Sequence, residues 1–207
     1  CYEKCNEVFP KDKIHMLGNP RATIAKEAKF DEDYFKSLGL DLDKKTILIV
    51  MGSLGSSSVN ELMKSALKDV DDDLQFLYVC GKDNSQDLNL FENQKNIHVV
   101  PYVDTLRIYG HVDGMICRAG ATTLAEVTAL GIPSIVIPSP YVANNHQFYN
   151  ASMLLRQQAC RIIEEKDLNA ETLQGQIVSL YANPVVYEQT HEHALQMGKP
   201  NAAYDII

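Results

Sequence analysis

Residues 112–137 read VDGMICRAGATTLAEVTALGIPSIVI, and this stretch decides the fold. Its apolar runs at 112–117 and 134–137 have the length and the β-branched content of buried strands. The segment between them predicts a helix over 122–130, which ends at Gly131 and cannot resume at Pro133. A strand, a helix and a second strand in this order are typical of a parallel sheet with helices on its faces.

The same alternation extends on both sides of this unit, from residue 46 to residue 163. Apolar runs predict further strands at 46–51, 75–80 and 97–100, and an edge strand at 160–163. Helical spacing of apolar residues predicts helices at 59–70, 105–110, 145–158, 170–182 and 185–197, with the start of another at 200–207. We therefore predict an α/β fold with a doubly wound, Rossmann-like parallel sheet.

The first 45 residues lack this alternation and are interpreted as an irregular arm that leads into the sheet. The predicted organisation is an arm over 1–45 and one domain over 46–207. The chain begins with Cys1 rather than Met and has no signal-peptide pattern, so we interpret it as a piece of a longer protein.

The composition of the 207 residues excludes several functional classes. Apolar residues make up 45% and charged residues 22%, which is ordinary for a globular protein and unlike a disordered chain. The 19 basic residues are scattered and the 27 acidic ones give a net charge of −8, which argues against a nucleic-acid partner. No apolar run approaches the roughly 18–20 residues of a transmembrane segment.

The five cysteines form an odd set without CxxC spacing. Their pattern predicts reduced thiols in a cytosolic protein rather than disulfides. Cys1 and Cys5 are spaced like half of a metal site, but no matching pair occurs further along the chain, so no metal site is expected.

Three loops follow predicted strands, at the sheet edge where ligands of such folds bind. The first, residues 52–58, reads GSLGSSS, and its small residues suit either an anion held by backbone N–H groups or a tightly packed turn. It matches neither GxGxxG nor the phosphate-binding loop with Gly-Lys-Ser/Thr, so a dinucleotide or ATPase site loses support.

The second loop, within residues 117–126 (CRAGATTLAE), leads into the predicted helix and has two interpretations. In one, the helix N-terminus faces a pyrophosphate, Arg118 adds a cation and Glu126 accepts hydrogen bonds from a ribose diol. In the other, Thr123 and Glu126 form a capping box that only satisfies backbone donors. The spacing alone favours neither.

The third loop, over 138–150, leads into a helix that begins with His146, Gln147 and Asn150 within about one turn. These side chains share a helix end and are placed to reach one ligand. His146 has no Asp, Ser or Cys at a catalytic spacing, which favours a solvated or capping histidine over a base.

Five segments together resemble the C-terminal domain of the MurG family of bacterial glycosyltransferases. They are GNPR at 18–21, GSLG at 52–55, PYVD at 101–104, CRAGATTLAE at 117–126 and HQFYNA at 146–151. The resemblance implies the C-terminal half of a GT-B enzyme, which has two Rossmann-like domains. This half would bind UDP-N-acetylglucosamine (UDP-GlcNAc), and the N-terminal domain would supply the catalytic base and bind the acceptor.

The resemblance also implies individual site residues. Ser53 would contact a phosphate, the backbone of Val103 the uracil, and Gln147 the sugar hydroxyls. The donor would further be lined by Arg118, Ala121, Thr122, Thr123, Leu124, Ala125 and Glu126, of which Glu126 would bind the ribose. Arg21 and Asn150 are further candidates, although Arg21 follows Pro20 directly where many members have one residue between.

The implied reaction is inverting transfer of N-acetylglucosamine to a lipid-linked N-acetylmuramyl-pentapeptide in peptidoglycan synthesis, without metal or other cofactor. The full-length protein would be cytoplasmic and peripheral on the inner face of the membrane, and this chain alone would be inactive. Two alternatives stay open: the donor-binding domain or subunit of another GT-B transferase, such as that of the dolichol pathway, and a non-catalytic nucleotide-sugar sensor.

Overall fold

The computed structural model describes residues 10–51, 57–67, 73–82, 91 and 94–207, with the backbone alone for Lys11 and residues 57–61. The six strands are β1 (Lys45–Val50), β2 (Leu74–Val79), β3 (Ile97–Val100), β4 (Gly114–Cys117), β5 (Ser134–Val136) and β6 (Arg161–Ile162). The α-helices are α1 (Arg21–Glu27), α2 (Glu32–Ser37), α3 (Ser57–Ala66), α4 (Ala121–Leu130), α5 (His146–Arg156), α6 (Ala170–Tyr181), α7 (Pro184–Met197) and α8 (Ala202–Ile206).

The strands form one sheet in the order β3-β2-β1-β4-β5-β6, and every neighbouring pair is parallel. This confirms the predicted doubly wound fold, and β6 is the edge strand as expected. Parallel strands lie under helices on both faces, so their side chains are apolar on both sides. On β1, Leu48 is buried towards one helical layer, and Ile47 and Ile49 are buried towards the other.

The two helical layers differ in what they contribute. One layer includes α1, α2, α4 and α5, and packs side chains such as Phe35, Leu124 and Leu154 against the sheet. The other includes α3 and α6, with Met63 and Ile177 in its core. The second predicted loop, within residues 117–126, leads into α4 and so lies on the side of the sheet covered by this first layer.

The prediction of an irregular N-terminal arm is wrong, because α1 and α2 lie within the first 45 residues and pack on the sheet layer. The sequence hides α1 because the helix has only seven residues and its buried positions are the small residues Ala22, Thr23 and Ala25. The N–H of Arg21 at its start donates to the side chain of Asn19 at 3.0 Å. α2 has six residues, too few for a clear hydrophobic period, yet its Phe35 is fully buried. The boundary between residues 45 and 46 stays a prediction.

The single helix expected at 105–110 is two 3-10 turns, Thr105–Arg107 and Tyr109–His111. Asp104 caps the first turn through its side chain. Ile108 ends the first turn and precedes the second, and belongs to neither. Tyr109 begins the second turn, and its side chain is buried.

Cys80, Cys117 and Cys160 are buried and form no disulfide among the described residues, and Cys1 and Cys5 lie outside those residues. Burial raises the pKa of Cys160 to about 12 and that of Cys117 further, so both thiols stay protonated. Within the described residues, no helix combines the length and the apolar character needed to cross a membrane.

Candidate functional site

The candidate site lies where the connections of the sheet change direction. β1 and β4 are neighbours; the chain continues from β1 outward to β2 and β3, and from β4 outward to β5 and β6. In doubly wound sheets, the crevice beyond the carboxyl ends of two such strands is the usual ligand site. The loop after β4 leads into α4 there. The loop after β1 holds Ser53, which lies outside the described residues.

The N-terminus of α4 is suited to an anion. The helix begins at Ala121, with Gly120 as its N-cap residue and no side-chain cap. Among the described residues, none accepts a hydrogen bond from the backbone N–H of Ala121, Thr122 or Thr123. Ala121 and Thr122 are exposed. Free amide groups at the positive end of a ten-residue helix are what a phosphate or pyrophosphate binds.

Glu126 lies one turn further into α4 and is 5% exposed. Its Oε1 accepts a hydrogen bond from Arg21 Nε at 2.5 Å, and its Oε2 accepts one from the Tyr109 hydroxyl at 2.6 Å. The capping-box interpretation is therefore wrong, since Thr123 is the third residue of the helix and Glu126 pairs with distant residues instead of the backbone. The carboxylate is held at both oxygens by residues from α1 and from the β3–β4 connection.

Electrostatics fix the protonation of Arg21 and Tyr109, the two groups that contact Glu126. The hydrogen bond to Glu126 raises the pKa of Arg21, which stays a cation. Burial first, and then the charge of Glu126, raise the pKa of Tyr109 far above its ordinary value. Tyr109 therefore remains a hydroxyl donor at any physiological pH.

The backbone of Val103, expected to contact a uracil, follows β3 and is supported by α2. The N–H of Asp104 donates to the Tyr34 hydroxyl at 3.0 Å. Arg107 lies 3.8 Å above the Tyr34 ring and pairs with Asp31 at 2.7 Å, so α2 is attached to this segment at several points. Among the described residues, none makes a hydrogen bond to the backbone of Val103 itself.

Arg118 is placed differently from the expectation of a free cation near phosphates. Its guanidinium lies 2.7 Å from a carboxylate oxygen of Glu165, and both side chains are largely buried. It also donates to the carbonyl of Ile137 at 3.2 Å. Its positive charge is therefore already paired, and contact with a phosphate stays a prediction.

The start of α5 adjoins the loop after β4. Asn150 is buried and its Nδ2 donates to the carbonyl of Ala119 at 3.2 Å. Gln147 is partly buried, and its Oε1 accepts from the N–H of Ser139 at 2.9 Å. His146 is exposed and bonds within its own turn to Ala143, which fits the predicted capping histidine.

The structure thus brings Arg21, Glu126 and the N-terminus of α4 together, and joins Asn150 to the same loop. Sequence reasoning missed Tyr109, which bonds to Glu126, and Glu165, which pairs with Arg118. It also missed Tyr34, which accepts from Asp104, the residue after Val103. Their signal is weak, because a tyrosine or a glutamate in a connection is common. For Tyr109 one signal was present: it follows the apolar Ile108 within the predicted helix at 105–110. A tyrosine buried there needs a hydrogen-bond partner for its hydroxyl.

Comparisons with known proteins point to one family. The sequence pattern described as "Glycosyltransferase family 28 C-terminal domain" matches residues 46–206. The UDP-N-acetylglucosamine--N-acetylmuramyl-(pentapeptide) pyrophosphoryl-undecaprenol N-acetylglucosamine transferase of Halalkalibacterium halodurans is 37% identical, over 98% of this chain and 57% of that protein. The protein of the same name from Caldanaerobacter subterraneus subsp. tengcongensis is 39% identical, over 99% of this chain and 58% of that protein.

The fold agrees with a solved structure of the same kind. The crystal structure of Acinetobacter baumannii MurG superposes with a TM-score of 0.74 and 28% sequence identity. The match covers 88% of this chain and 53% of that one. This chain therefore spans a little over half the length of the relatives it matches.

Proposed function

The chain belongs to glycosyltransferase family 28, whose C-terminal domain its residues 46–206 match, and we propose that it is the UDP-GlcNAc-binding part of an N-acetylglucosaminyltransferase. One observation carries the proposal: the free N-terminus of α4 and the buried carboxylate of Glu126 lie one turn apart at the switch point of the sheet. The proposed donor, UDP-GlcNAc, and the proposed acceptor, a lipid-linked muramyl-pentapeptide, are taken from the names of the relatives above.

Each part of the donor has a chemically suitable counterpart. The amide groups of Ala121–Thr123 suit the pyrophosphate, because backbone donors and the helix dipole favour negative charge. Glu126 suits the ribose diol, because a carboxylate is a strong acceptor for two hydroxyl groups. The backbone of Val103 offers a donor and an acceptor to the uracil, and Gln147 offers an amide to the sugar hydroxyls.

The transfer step is proposed to be inverting and metal-independent. The acceptor hydroxyl attacks the anomeric carbon as its proton passes to a base, and UDP leaves with the electron pair of the broken bond. Charge on the departing diphosphate is stabilised by donors that are already oriented, chiefly the α4 N-terminus. The base and the site for the lipid-linked muramyl-pentapeptide are assigned to the N-terminal domain, at the inner face of the membrane, so this chain alone transfers no sugar.

Calorimetric titration of the chain with UDP, UDP-GlcNAc and ADP tests the proposal. We expect UDP and UDP-GlcNAc to bind at least about tenfold more tightly than ADP, since the base contact is worth about one good hydrogen-bonded pair. At one hundred times the dissociation constant, UDP raises the free energy of unfolding by about 2.7 kcal/mol. The UDP titration is repeated in magnesium and in EDTA, and we expect the same dissociation constant in both.

The Glu126→Gln variant and 2′,3′-dideoxy-UDP (ddUDP) provide matched controls for the ribose contact. The variant weakens UDP binding by about tenfold or more, because hydrogen bonds to a charged acceptor contribute about 1.5–3 kcal/mol. It leaves ddUDP binding unchanged. No heat or stabilisation with millimolar UDP, or equal affinity for ADP, contradicts the proposed function.

A further inference from the structure

The hydrogen bond between Tyr109 and Glu126 is buried and joins the β3–β4 connection to α4. Tyr109 and Glu126 are each 5% exposed, and the hydroxyl lies 2.6 Å from Oε2. Arg21, on the other oxygen, has a side chain that is 37% exposed. Of the two groups that hold the carboxylate, Tyr109 is therefore fixed by packing, whereas Arg21 is accessible to solvent.

The acceptor capacity of Glu126 matches a diol once these two bonds are counted. A carboxylate offers about four lone-pair positions, two on each oxygen. Arg21 and Tyr109 occupy one position on each oxygen. One position on each oxygen remains, which is the number that the two hydroxyl groups of a ribose require.

The direction of these remaining positions depends on the rotation of the carboxylate. The terminal torsion of a glutamate side chain is broad, so it is not fixed by the chain's own preference. A hydroxyl donor held in the core fixes it, because rotation of the carboxylate would break the bond to Oε2. A partly exposed arginine is a weaker restraint, since it moves with the carboxylate.

We propose that Tyr109 is a positioning residue for ribose recognition: its buried hydroxyl fixes the carboxylate plane of Glu126 and leaves one acceptor on each oxygen for the diol. The inference rests on the proposed function, in which Glu126 binds the ribose. It assigns to Tyr109 no contact with the ligand. Its effect on binding is therefore confined to ligands that carry the 2′ and 3′ hydroxyl groups.

The test compares the affinities for UDP and ddUDP, by calorimetry, in the full chain and in Tyr109→Phe. The substitution keeps the buried ring and removes the hydroxyl. We expect UDP binding to weaken by about tenfold, the scale of one hydrogen bond to a charged group, with ddUDP binding unchanged. The quantity compared is the ratio of the UDP affinity to the ddUDP affinity. A general loss of packing lowers both affinities equally and leaves this ratio unchanged.

Tyr181→Phe is the matched control. Tyr181 is also buried, and its hydroxyl donates to the carbonyls of Met115 and Pro133 at 3.1 and 3.3 Å, in the opposite helical layer. Removal of this hydroxyl costs a comparable buried hydrogen bond without touching Glu126. We expect the affinity ratio of the control to equal that of the unchanged chain.

A double-mutant cycle with Glu126→Gln gives the second measurement. If Tyr109 acts through Glu126, the Tyr109→Phe/Glu126→Gln chain has the same affinity ratio as Glu126→Gln alone. A further fall of the ratio in the double variant overturns the inference. If Tyr109→Phe alone does not fold, the double variant still tests whether Tyr109 acts on the ligand by a route other than Glu126, because it leaves no charged carboxylate short of a partner.

The failure of the inference and the failure of the proposed function give different results. If the unchanged chain does not bind UDP, both are wrong. If it binds UDP and Glu126→Gln loses the preference over ddUDP while Tyr109→Phe keeps it, only the inference is wrong. Equal weakening of both ligands by Tyr109→Phe gives the tyrosine a structural role alone and also overturns the inference.

Discussion

Glu126 is the buried acid on which the candidate site is centred. A carboxylate is rarely buried unless it is paired, and here the guanidinium of Arg21 and the hydroxyl of Tyr109 supply the pairing. Burial of this charge lowers stability, and it occurs at the position proposed to bind the ribose. Arg21 thus stabilises the site even if it never contacts the donor.

The Arg21→Met substitution tests that stabilising role. It keeps most of the aliphatic length and removes the charge that faces Oε1 of Glu126. We expect the free energy of unfolding to fall by about 1–2 kcal/mol, the lower part of the range for an unpaired buried acceptor, because water partly replaces an exposed partner. Chemical denaturation at neutral pH measures the change.

Lys36→Met is the control for the loss of a salt bridge as such. Lys36 pairs with Glu32 at 2.5 Å, but both side chains are more than half exposed. Exposed pairs of this kind contribute little to stability. If Arg21→Met destabilises the chain no more than Lys36→Met does, the Glu126 carboxylate does not depend on Arg21.

The packing of α7 against α4 fixes the helix that carries the site. Gly198, at the end of α7, has backbone φ −63°, which any residue adopts, so its role is one of space. A Cβ at this position would lie 2.6 Å from the carbonyl oxygen of Thr128 in α4 and 3.0 Å from the Cα of Ala129. Because these are backbone atoms, one of the two helices must move to accommodate it.

We expect Gly198→Ala to lower the free energy of unfolding by about 1–3 kcal/mol, the usual cost of overpacking. Gly175→Ala in α6 is the matched control, because Gly175 is exposed and a Cβ there meets nothing within 4 Å. The control should raise stability by about 0.5–1 kcal/mol, the helix preference of Ala over Gly. Thermal unfolding measures the stability of both variants. Equal changes in stability for Gly198→Ala and Gly175→Ala contradict the close approach of Gly198 to α4.

At the scale of the whole molecule, the sequence predicted the features that local pattern determines. Buried parallel strands appear as apolar runs, so β3 was predicted at its observed bounds and the other strands within two residues. A strand, a turn and a helix in order also place the N-terminus of α4 at the sheet edge. These features need no knowledge of distant contacts.

The features that the sequence did not predict depend on contacts between distant residues. Glu126 and Arg21 are 105 positions apart, so the local spacing of Thr123 and Glu126 suggested a capping box that does not form. α1 is short and buries only small residues, so its sequence shows no clear helical period, and its packing in the sheet layer depends on distant residues. The pairing of Arg118 with Glu165 is likewise set by the fold.

The central claim is that UDP binds at the carboxyl edge of the sheet, and amide chemical-shift mapping of the labelled chain during a UDP titration tests it most directly. A surface pocket of about 520 Å³ lies at the C-terminal end of α5, lined in part by Arg156 and His193, and serves as an internal control. We predict concerted shifts at Val103 and over residues 120–126, with none at Arg156 or His193. Shifts confined to the surface pocket at the C-terminal end of α5, with residues 120–126 unchanged, would contradict the account.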